Sequence, residues 1–555
     1  MKFCFRKLAL CVLTATCLLF FSGFLNKSEQ TENVQAAISS SGFLKTDGTL
    51  VRDNYGSGNI VFLRGTNAGA WLVQESWMSP TNAQDQKTTI SVFNSRFGSG
   101  GKDALLKTYY DSFWSESDFD NCANMGMTCI RLPFTYMNLM TDDGTGLRSD
   151  AWTYLDWFVQ KCADRGMYVI LDLHGTFGSQ NGEAHSGEVN DGYQLYWNDN
   201  NRGMTKWLWW QIANRYKDNP AVAGYDILNE PGIKTGTTSS IQWDLYDEIY
   251  DTIRSVDSSH IIIMESCWAP VNLPNPTTYG WTNVMYEYHW YPWDFQSNTS
   301  EQISSLYNFV SEVNTANFGV PVYIGEFNCF GLSDAWAQTL EIFKTNGFHW
   351  ANWSYKTMWN GSTWGIYNWE PPIVNISEDS YDSIYWKWKS LGSTTINVNS
   401  IVYNALSNSL ANGSIYYKSN PANGSYYLKS TYNNRVVCAD NYGNDPLAVC
   451  RDTYDGSWEQ LNVVNNSDGT VSFLSGANSK YVCTEIDDYK QLVARSTEIN
   501  DWEKFEVFYS NGAYGLISKA NKKFVQSDMN NGGVLKAVSQ TINGAWEAFY
   551  IVSIN

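Results

Sequence analysis

Between residues 43 and 391 the chain carries eight short apolar runs of strand length, separated by segments with helical periodicity. The runs fall at Ile60 to Asn67, Thr128 to Pro133, Tyr168 to Leu173, Val222 to Leu228, Ile261 to Ser266, Val284 to His289, Val320 to Glu326 and Phe348 to Tyr355. Several are continuous rather than alternating, the pattern of parallel strands covered on both faces. Amphipathic stretches such as Trp152 to Arg165 and Ile241 to Val256 lie between them. Eight such units predict an α/β fold, a (β/α)8 TIM barrel. Phe43 to Phe62, with a turn at Asp47-Gly48, is expected to form a hairpin across the barrel bottom.

A barrel of this kind builds its site at the C-terminal ends of its strands. The polar residues there are Arg131 on the second strand, His174 on the third, Asn229 and Glu230 after the fourth, His289 and Tyr291 on the sixth, Glu326 on the seventh and Trp353 on the eighth. Two strands thus end in a glutamate. A pair of carboxyls facing each other is the minimum equipment for breaking a glycosidic bond: a proton donor and a nucleophile or base. Singly, each residue has an ordinary structural explanation, an Arg in an ion pair or a His in a satisfied core. The chain has only 5 His, however, and two of them fall at these strand ends.

The motifs IRLPF at 130–134, LDLHG at 171–175, LNEP at 228–231, His-x-Tyr at 289–291, IGEF at 324–327 and the late Trp353 occur in order on the expected strands. Together they resemble glycoside hydrolase family 5. The resemblance implies that Glu230 is the general acid/base and Glu326 the nucleophile. The supporting roles are physical expectations: Arg131 holds Glu326 ionised by charge and hydrogen bonding, Tyr291 donates to the same carboxylate, Asn229 meets the sugar 2-hydroxyl, His174 and His289 are candidates for binding hydroxyls or orienting the carboxylates, and Trp353 floors the reacting-sugar subsite. The opening RGTNAGAWLVQE at 64–75 and LDLHGTFGSQNG at 171–182 look like the exo-1,3-β-glucanases of that family, where a glutamate in the place of Glu75 binds the terminal glucose. Those enzymes then carry Asp-Asn where this chain has Ala184-His185, so linkage and exo action stay open. Glu75 and His185 are counted among the substrate-binding candidates. Trp290 and Trp293 are candidates for further stacking platforms or for rim packing.

Composition agrees with a sugar-binding protein. Aromatic residues make up 15% of the chain, with 25 Trp and 35 Tyr. Their faces stack on the C–H faces of pyranoses as readily as they fill cores. Residues 1–36 are expected to be a signal peptide, with Lys2, Arg6 and Lys7 before an apolar run from Leu8 to Leu25 and small residues before Ala37; an uncleaved anchor is the alternative. Net charge is −19, which opposes a nucleic-acid partner. The eight cysteines beyond the signal form no CxxC pair, so no zinc site is expected, and no metal or organic cofactor.

Residues 392–414, rich in Ser, Asn and Thr, are expected to be a linker or packing segment, with a short helix at Ile401 to Leu406. Residues 415–555 repeat themselves. Trp458-Glu459, Trp502-Glu503 and Trp546-Glu547 are 44 residues apart, each followed by an apolar position at Leu461, Phe505 and Phe549. Leu428, Leu474 and Leu516 align upstream, as do Val437, Val482 and Val525, and Ala448, Ala494 and Ala537. Three units too small to bury a core alone predict an all-β trefoil. The WExF pattern resembles fascin-like trefoils and differs from ricin-type domains, which carry QxW. Such a domain is expected to bind cell-wall glycans or to be purely structural.

The expectation is a secreted, monomeric, retaining β-glycosidase, catalytic over 37–391. Its partner is a β-glucan with 1,3-, mixed 1,3/1,4-, 1,4- or 1,6-linkages, with no membrane association after signal cleavage. The rivals are a glucosidase of glycolipids or small β-glucosides and a non-catalytic carbohydrate-binding protein.

Overall fold

A computed structural model describes residues 37–190, 193–232, 239–266, 269–359, 361–411, 413–542 and 544–554. The signal reading at 1–36 lies outside these residues. Among the described residues, no helix is long and apolar enough to cross a membrane.

Eight parallel strands close into a barrel: Arg64–Asn67, Cys129–Thr135, Tyr168–Gly175, Val222–Asp226, Ile261–Glu265, Val284–Trp290, Val322–Phe327 and His349–Asn352. The eighth pairs with the first, Trp350 opposite Arg64. Helices such as Thr153–Ala163, Asp199–Tyr216, Ser240–Arg254 and Ser333–Thr345 cover the outside. Ser240–Arg254 shows why: Leu245, Ile249 and Ile253 recur at helical spacing and are buried. The barrel interior is layered. Its lower layers are apolar, with Leu63, Cys129, Ile170, Ala223, Ile261, Met285, Tyr323 and Ala351 packed together. Its upper layers are charged.

The first predicted strand divides. Ile60–Val61 leaves the barrel and pairs with the bottom hairpin of Lys45–Asp47 and Leu50–Arg52, while Arg64–Asn67 enters it. The segment expected to be a linker is folded instead. Ile396–Val398 pairs with Tyr367–Trp369, and the helix Ser400–Leu410 buries Val402, Leu406 and Leu410. Its apolar positions recur every four residues, a helical stripe that the polar composition masks.

The remaining strands, from Ile415–Lys418 to Phe549–Ser553, pair antiparallel around a core of their own that includes Leu428, Val463, Phe473, Val507, Leu516 and Phe549. Strand pairing corrects two of the aligned positions. Val463 faces Phe473 as Val507 faces Leu516, so Phe473 and not Leu474 is the counterpart of Leu428 and Leu516. Likewise Val437 faces Val449, as Val482 faces Ala494 and Val525 faces Ala537, so Val449 replaces Ala448. The Trp-Glu repeat has a structural cause. Glu459, Glu503 and Glu547 are buried, and each accepts the backbone N–H three residues upstream, from Gly456 (3.0 Å), Asn500 (2.8 Å) and Gly544 (3.2 Å). Each glutamate closes its own turn.

The C-terminal strands are joined to the barrel bottom. Ile415–Lys418 pairs with Ile60–Val61 on one side and with Phe505–Ser510 on the other. Leu50, Ile60 and Phe62 pack against Tyr416, Phe508, Ile517 and Phe524. Arg52, fully buried, binds Asp47 at 2.9 Å and Glu506 at 2.6 Å.

Candidate active site

The charged upper layer is built by side chains that alternate inward along the barrel strands. Arg131, on the second strand, is completely buried. Its guanidinium reaches Asp172 on the third strand (3.0 Å), Asp226 on the fourth (2.7 Å), Glu287 on the sixth (3.4 Å) and Glu326 on the seventh (3.0 Å). It also donates to Asn67 Oδ1 and to Asn229 Oδ1. These contacts hold Arg131 above its ordinary range although burial pulls it down. Burial, with the neighbouring carboxyls, pushes Asp172, Asp226 and Glu265 well above the usual carboxylate range.

Glu326 sits on this base. Arg131 Nη1 donates to its Oε1 at 3.0 Å, and the Tyr291 hydroxyl donates to its Oε2 at 2.8 Å. A register shift between Ile324 and Glu326 sets it beside His289. Gly325 makes room for this layer, because a Cβ there would lie 1.5 Å from Glu287 Oε1. Glu230 faces Glu326, with an oxygen of each within 4.8 Å of the other. Glu230 has a left-handed backbone, φ 42°, secured by its N–H donating to Glu265 Oε2 at 2.6 Å. A non-glycine residue held there marks a position that its surroundings over-determine.

Two imidazoles bracket the Glu230 carboxyl. His289 Nδ1 lies 2.8 Å from Oε1 and His185 Nε2 lies 3.1 Å from Oε2. Burial alone would raise Glu230, but His185 and then His289 outweigh it and hold the carboxyl well below the usual range. Burial lowers both imidazoles, and the carboxylates overcome it. Glu265, Glu326 and Glu230 raise His289 well above its normal value, and Glu230, Glu75 and Glu326 raise His185 to about 9. His174 differs: burial pulls it well down, and its Nδ1 lies 2.7 Å from Asp172 Oδ2. Trp353 stacks on the His174 ring at 5.4 Å and 12°.

Above these groups opens a cavity of about 810 Å³. Of the ten candidates from the sequence, Glu75, His174, His185, Asn229, Glu230, Tyr291, Glu326 and Trp353 line it. Arg131 and His289 lie beneath them. Glu75 Oε2 accepts from Trp77 Nε1 at 2.9 Å, while its Oε1 and the Asn229 Nδ2 are buried without a partner. Burial pushes Glu75 up to about 7, against His185 and Trp77. Trp293 also lines the cavity, whereas Trp290 is buried in the barrel–helix core and is no platform. One wall is aromatic: Trp77, Trp364, Tyr291 and Trp293 lie in a chain with ring centroids 5.1–5.7 Å apart. The other wall is polar and includes Asn181, Tyr193, Gln242 and Asn272.

Asp172, Asp226, Glu265 and Glu287 were absent from the candidates. Their signal is period two: Asp172 stands two residues before His174, and Glu287 two before His289, so each pair shares the inward face. Trp77 and Trp364 lie on loops outside the strand pattern. Contrary to the spacing argument against metal ligands, the fold gathers Glu230, His289 and Glu326, then Glu265, Glu287 and His289, and also Cys438, Asp440 and Cys450. The first two groups already have the Arg131 and His289 cations among them, and Arg451 occupies Asp440. These donor sets suit a cation poorly.

The family model for cellulase (glycosyl hydrolase family 5) matches residues 81–358, half of the chain. The protein belongs to glycoside hydrolase family 5. This family 5 chain is similar to a beta-xylosidase of Phanerodontia chrysosporium, 30% identical over 225 residues, covering 40% of this chain and 46% of that protein. It is similar also to a probable glucan 1,3-beta-glucosidase A of Neosartorya fischeri, 27% identical over 274 residues, 48% of this chain and 65% of that protein. The chain therefore spans 46% to 65% of the length of these curated relatives. Among solved structures it is similar to a rutinosidase from Aspergillus niger at 17% identity and a TM-score of 0.46, over 60% of this chain and 97% of that one.

Proposed function

We propose that this chain is a retaining β-glycosidase that hydrolyses a β-glucan by double displacement, with Glu230 as acid/base and Glu326 as nucleophile. The observation that carries the reading is the carboxyl pair: their oxygens approach within 4.8 Å across a cavity. A retaining enzyme needs a separation of roughly 5–5.5 Å, and an inverting one needs roughly 6.5–9.5 Å to admit water.

The surrounding groups fit the roles. Arg131 and Tyr291 fix both oxygens of Glu326 for attack on the anomeric carbon. Arg131 also fixes Asn229 by its Oδ1, which leaves the unpartnered Nδ2 to donate to a sugar hydroxyl in the cavity. A donor to the 2-hydroxyl acts most strongly in the oxocarbenium-like transition state. The unpartnered Glu75 Oε1 is an acceptor for another hydroxyl. Trp353 on His174 floors the reacting subsite, and the aromatic wall suits the flat faces of following sugars.

The names of the relatives direct the substrate test. Products released from laminarin, lichenan, pustulan, carboxymethyl-cellulose and xylan report linkage, sugar and exo or endo action together. Retention of β-configuration in the first product, followed by NMR, is expected; inversion overturns the mechanism. The Glu326→Gln variant is expected to lose activity on all of them. Residues 415–555 we read as a β-trefoil of three units that either binds cell-wall glycans or supports the barrel. Secretion after cleavage near Ala37 completes the reading, and the N-terminal sequence of the exported protein tests it.

A further inference from the structure

The three C-terminal units share one irregularity, and in the first of them it brings two thiols together. In each unit one strand carries an extra residue against its partner. Val436 faces Arg451 and Val437 faces Val449, so Cys450 is a bulge. Arg495 is passed over in the same way between Ala494 and Ser496, and Val538 between Ala537 and Ser539. On the facing strand the residue after each paired valine is Cys438, Cys483 or Gln526. The second unit shows what the bulged side chain can reach: Arg495 Nη2 donates across to Glu485 Oε2 at 2.7 Å, two residues beyond Cys483. Only the first unit has a thiol at both positions. There one carboxylate spans both sulfurs. Cys438 Sγ donates to Asp440 Oδ1 at 2.8 Å and Cys450 Sγ to Oδ2 at 3.8 Å, and the two sulfurs lie within 4.8 Å of each other. Cys438 is buried and Cys450 half-buried.

We propose that Cys438 and Cys450 form a disulfide that staples the first C-terminal unit across its bulge. Side-chain rotation brings the sulfurs to a bond of about 2.05 Å. The oxidant is a disulfide, small or carried by a protein, of the kind met outside the cell. It rests on the secretion reading; the geometry of the pair does not. The more exposed Cys450 attacks that disulfide, a mixed disulfide forms and one thiol leaves. Cys438 then attacks the Cys450 sulfur, the Cys438–Cys450 bond forms and the second thiol leaves. The oxidant's S–S bond is reduced, and the two cysteine protons end on the two released thiols. Asp440 loses its thiol donors and keeps Arg451, so no carboxylate is left bare. Burial and then Asp440 raise both thiols above their usual range, so exchange is slow. The closed loop runs from Cys438 to Cys450 and contains the left-handed pair Asn441 and Tyr442. The cross-link restricts this segment in the unfolded chain and thereby stabilises the folded one.

The test uses the folded wild-type protein, incubated with oxidised glutathione, then denatured with an alkylating agent and no reductant. Trypsin releases both cysteines in one peptide, Val436 to Arg451, and Cys483 in another, Tyr481 to Lys490. Mass spectrometry is expected to find the first peptide unalkylated and lighter by two hydrogens, and the second alkylated. Alkylation of Cys438 and Cys450, glutathione retained on either, or a link from either to Cys483 overturns the proposal. A second measurement reads the staple itself. Oxidation is expected to raise the Tm of the C-terminal transition by about 3–8 °C in the wild type and not in Cys450→Ser. Equal melting of the oxidised and reduced wild type overturns the stapling role without needing the variant. A failure of the secretion reading shows in the N-terminal sequence of the exported protein and leaves the glutathione result untouched.

Discussion

The two mouths of the barrel both bury arginine, and they do it in opposite ways. At the upper mouth Arg131 lies among four carboxyls, while Glu75 Oε1 and Asn229 Nδ2 stay unpartnered beside a left-handed Glu230. At the lower mouth Arg52 has two carboxylates, and each of these has a second cation nearby: Lys522 for Asp47 at 3.4 Å and Lys418 for Glu506 at 4.0 Å. The upper end keeps its unsatisfied groups facing a cavity; the lower end has unsatisfied atoms too, at Arg64 Nε and Nη2, but the carboxylates around Arg52 are doubly served and its apolar side chains are sealed against the C-terminal strands. In a TIM barrel the first pattern belongs to chemistry and the second to stability.

The strongest way to break this contrast is to remove residues 415–555. If these strands were a tethered binding module, the barrel would survive. Their removal uncovers Leu50, Ile60 and Phe62 and strips Glu506 from Arg52. At about 1.5–3 kcal/mol for each large apolar side chain, the loss approaches the roughly 5–15 kcal/mol of a whole domain. The truncated chain is expected to aggregate or to melt far below the full chain by circular dichroism. A soluble, cooperatively melting barrel with wild-type activity on a small glucoside would assign these strands to a separate module. Glycan binding by the C-terminal region is therefore better tested by surface substitutions than by deletion.

The two arginines give the next comparison. Arg131→Met leaves several buried carboxyls without their cation and is expected to cost about 3–5 kcal/mol, together with most of the activity. Arg52→Met leaves Asp47 and Glu506 with their lysines and some solvent, so about 1–2 kcal/mol is expected, with kcat/KM unchanged. Urea melts and rates of both variants check the pair. Equal losses of stability would remove the distinction between the two ends.

Glu75 sharpens the upper end by pH. Its value rises from 4.5 in the unfolded chain to about 7 in the folded one, chiefly through burial. A group raised in this way contributes its full stability below about pH 4.5 and loses it as pH climbs through about 7. Glu75→Gln carries no such penalty. Relative to its own value at pH 4, the variant is expected to gain on wild type by about 2–3 kcal/mol at pH 8, while substrate KM rises. Parallel stability curves from pH 4 to 8 would mean that Glu75 is solvated.

How far the sequence reaches follows the same divide. The eight strands and the strand-end residues were legible because burial on both faces writes continuous apolar runs, and the site lies where those runs stop. Glu75 and His185 lie on loops, and only the resemblance to known glucanases reached them. Asp172 and Glu287 stayed hidden because inward carboxyls interrupt an apolar run without ending it. The aromatic wall stayed hidden because Trp77 and Trp364 meet only in space, 5.1 Å apart. The helix Ser400–Leu410 was masked by its polar face, and the pairing of Ile60–Val61 with Ile415–Lys418 joins positions too distant for any local pattern.

The smallest expected effects lie in the C-terminal repeat, where the motif legible as Trp-Glu closes three turns. Glu459, Glu503 and Glu547 each close a turn by accepting backbone N–H, Glu459 from both Asp455 and Gly456, so each Glu→Gln change keeps the shape and weakens the bonding that closes the turn. About 0.5–1.5 kcal/mol is expected from each. The three turns share no partner among these bonds, so the triple variant is expected to lose close to the sum. Denaturant melts of the single and triple variants measure this directly. A triple variant that loses much more than the sum would show that the turns are coupled through the shared core of Leu428, Phe473 and Leu516. The repeat would then act as one cooperative clamp on the barrel bottom rather than as three independent closures.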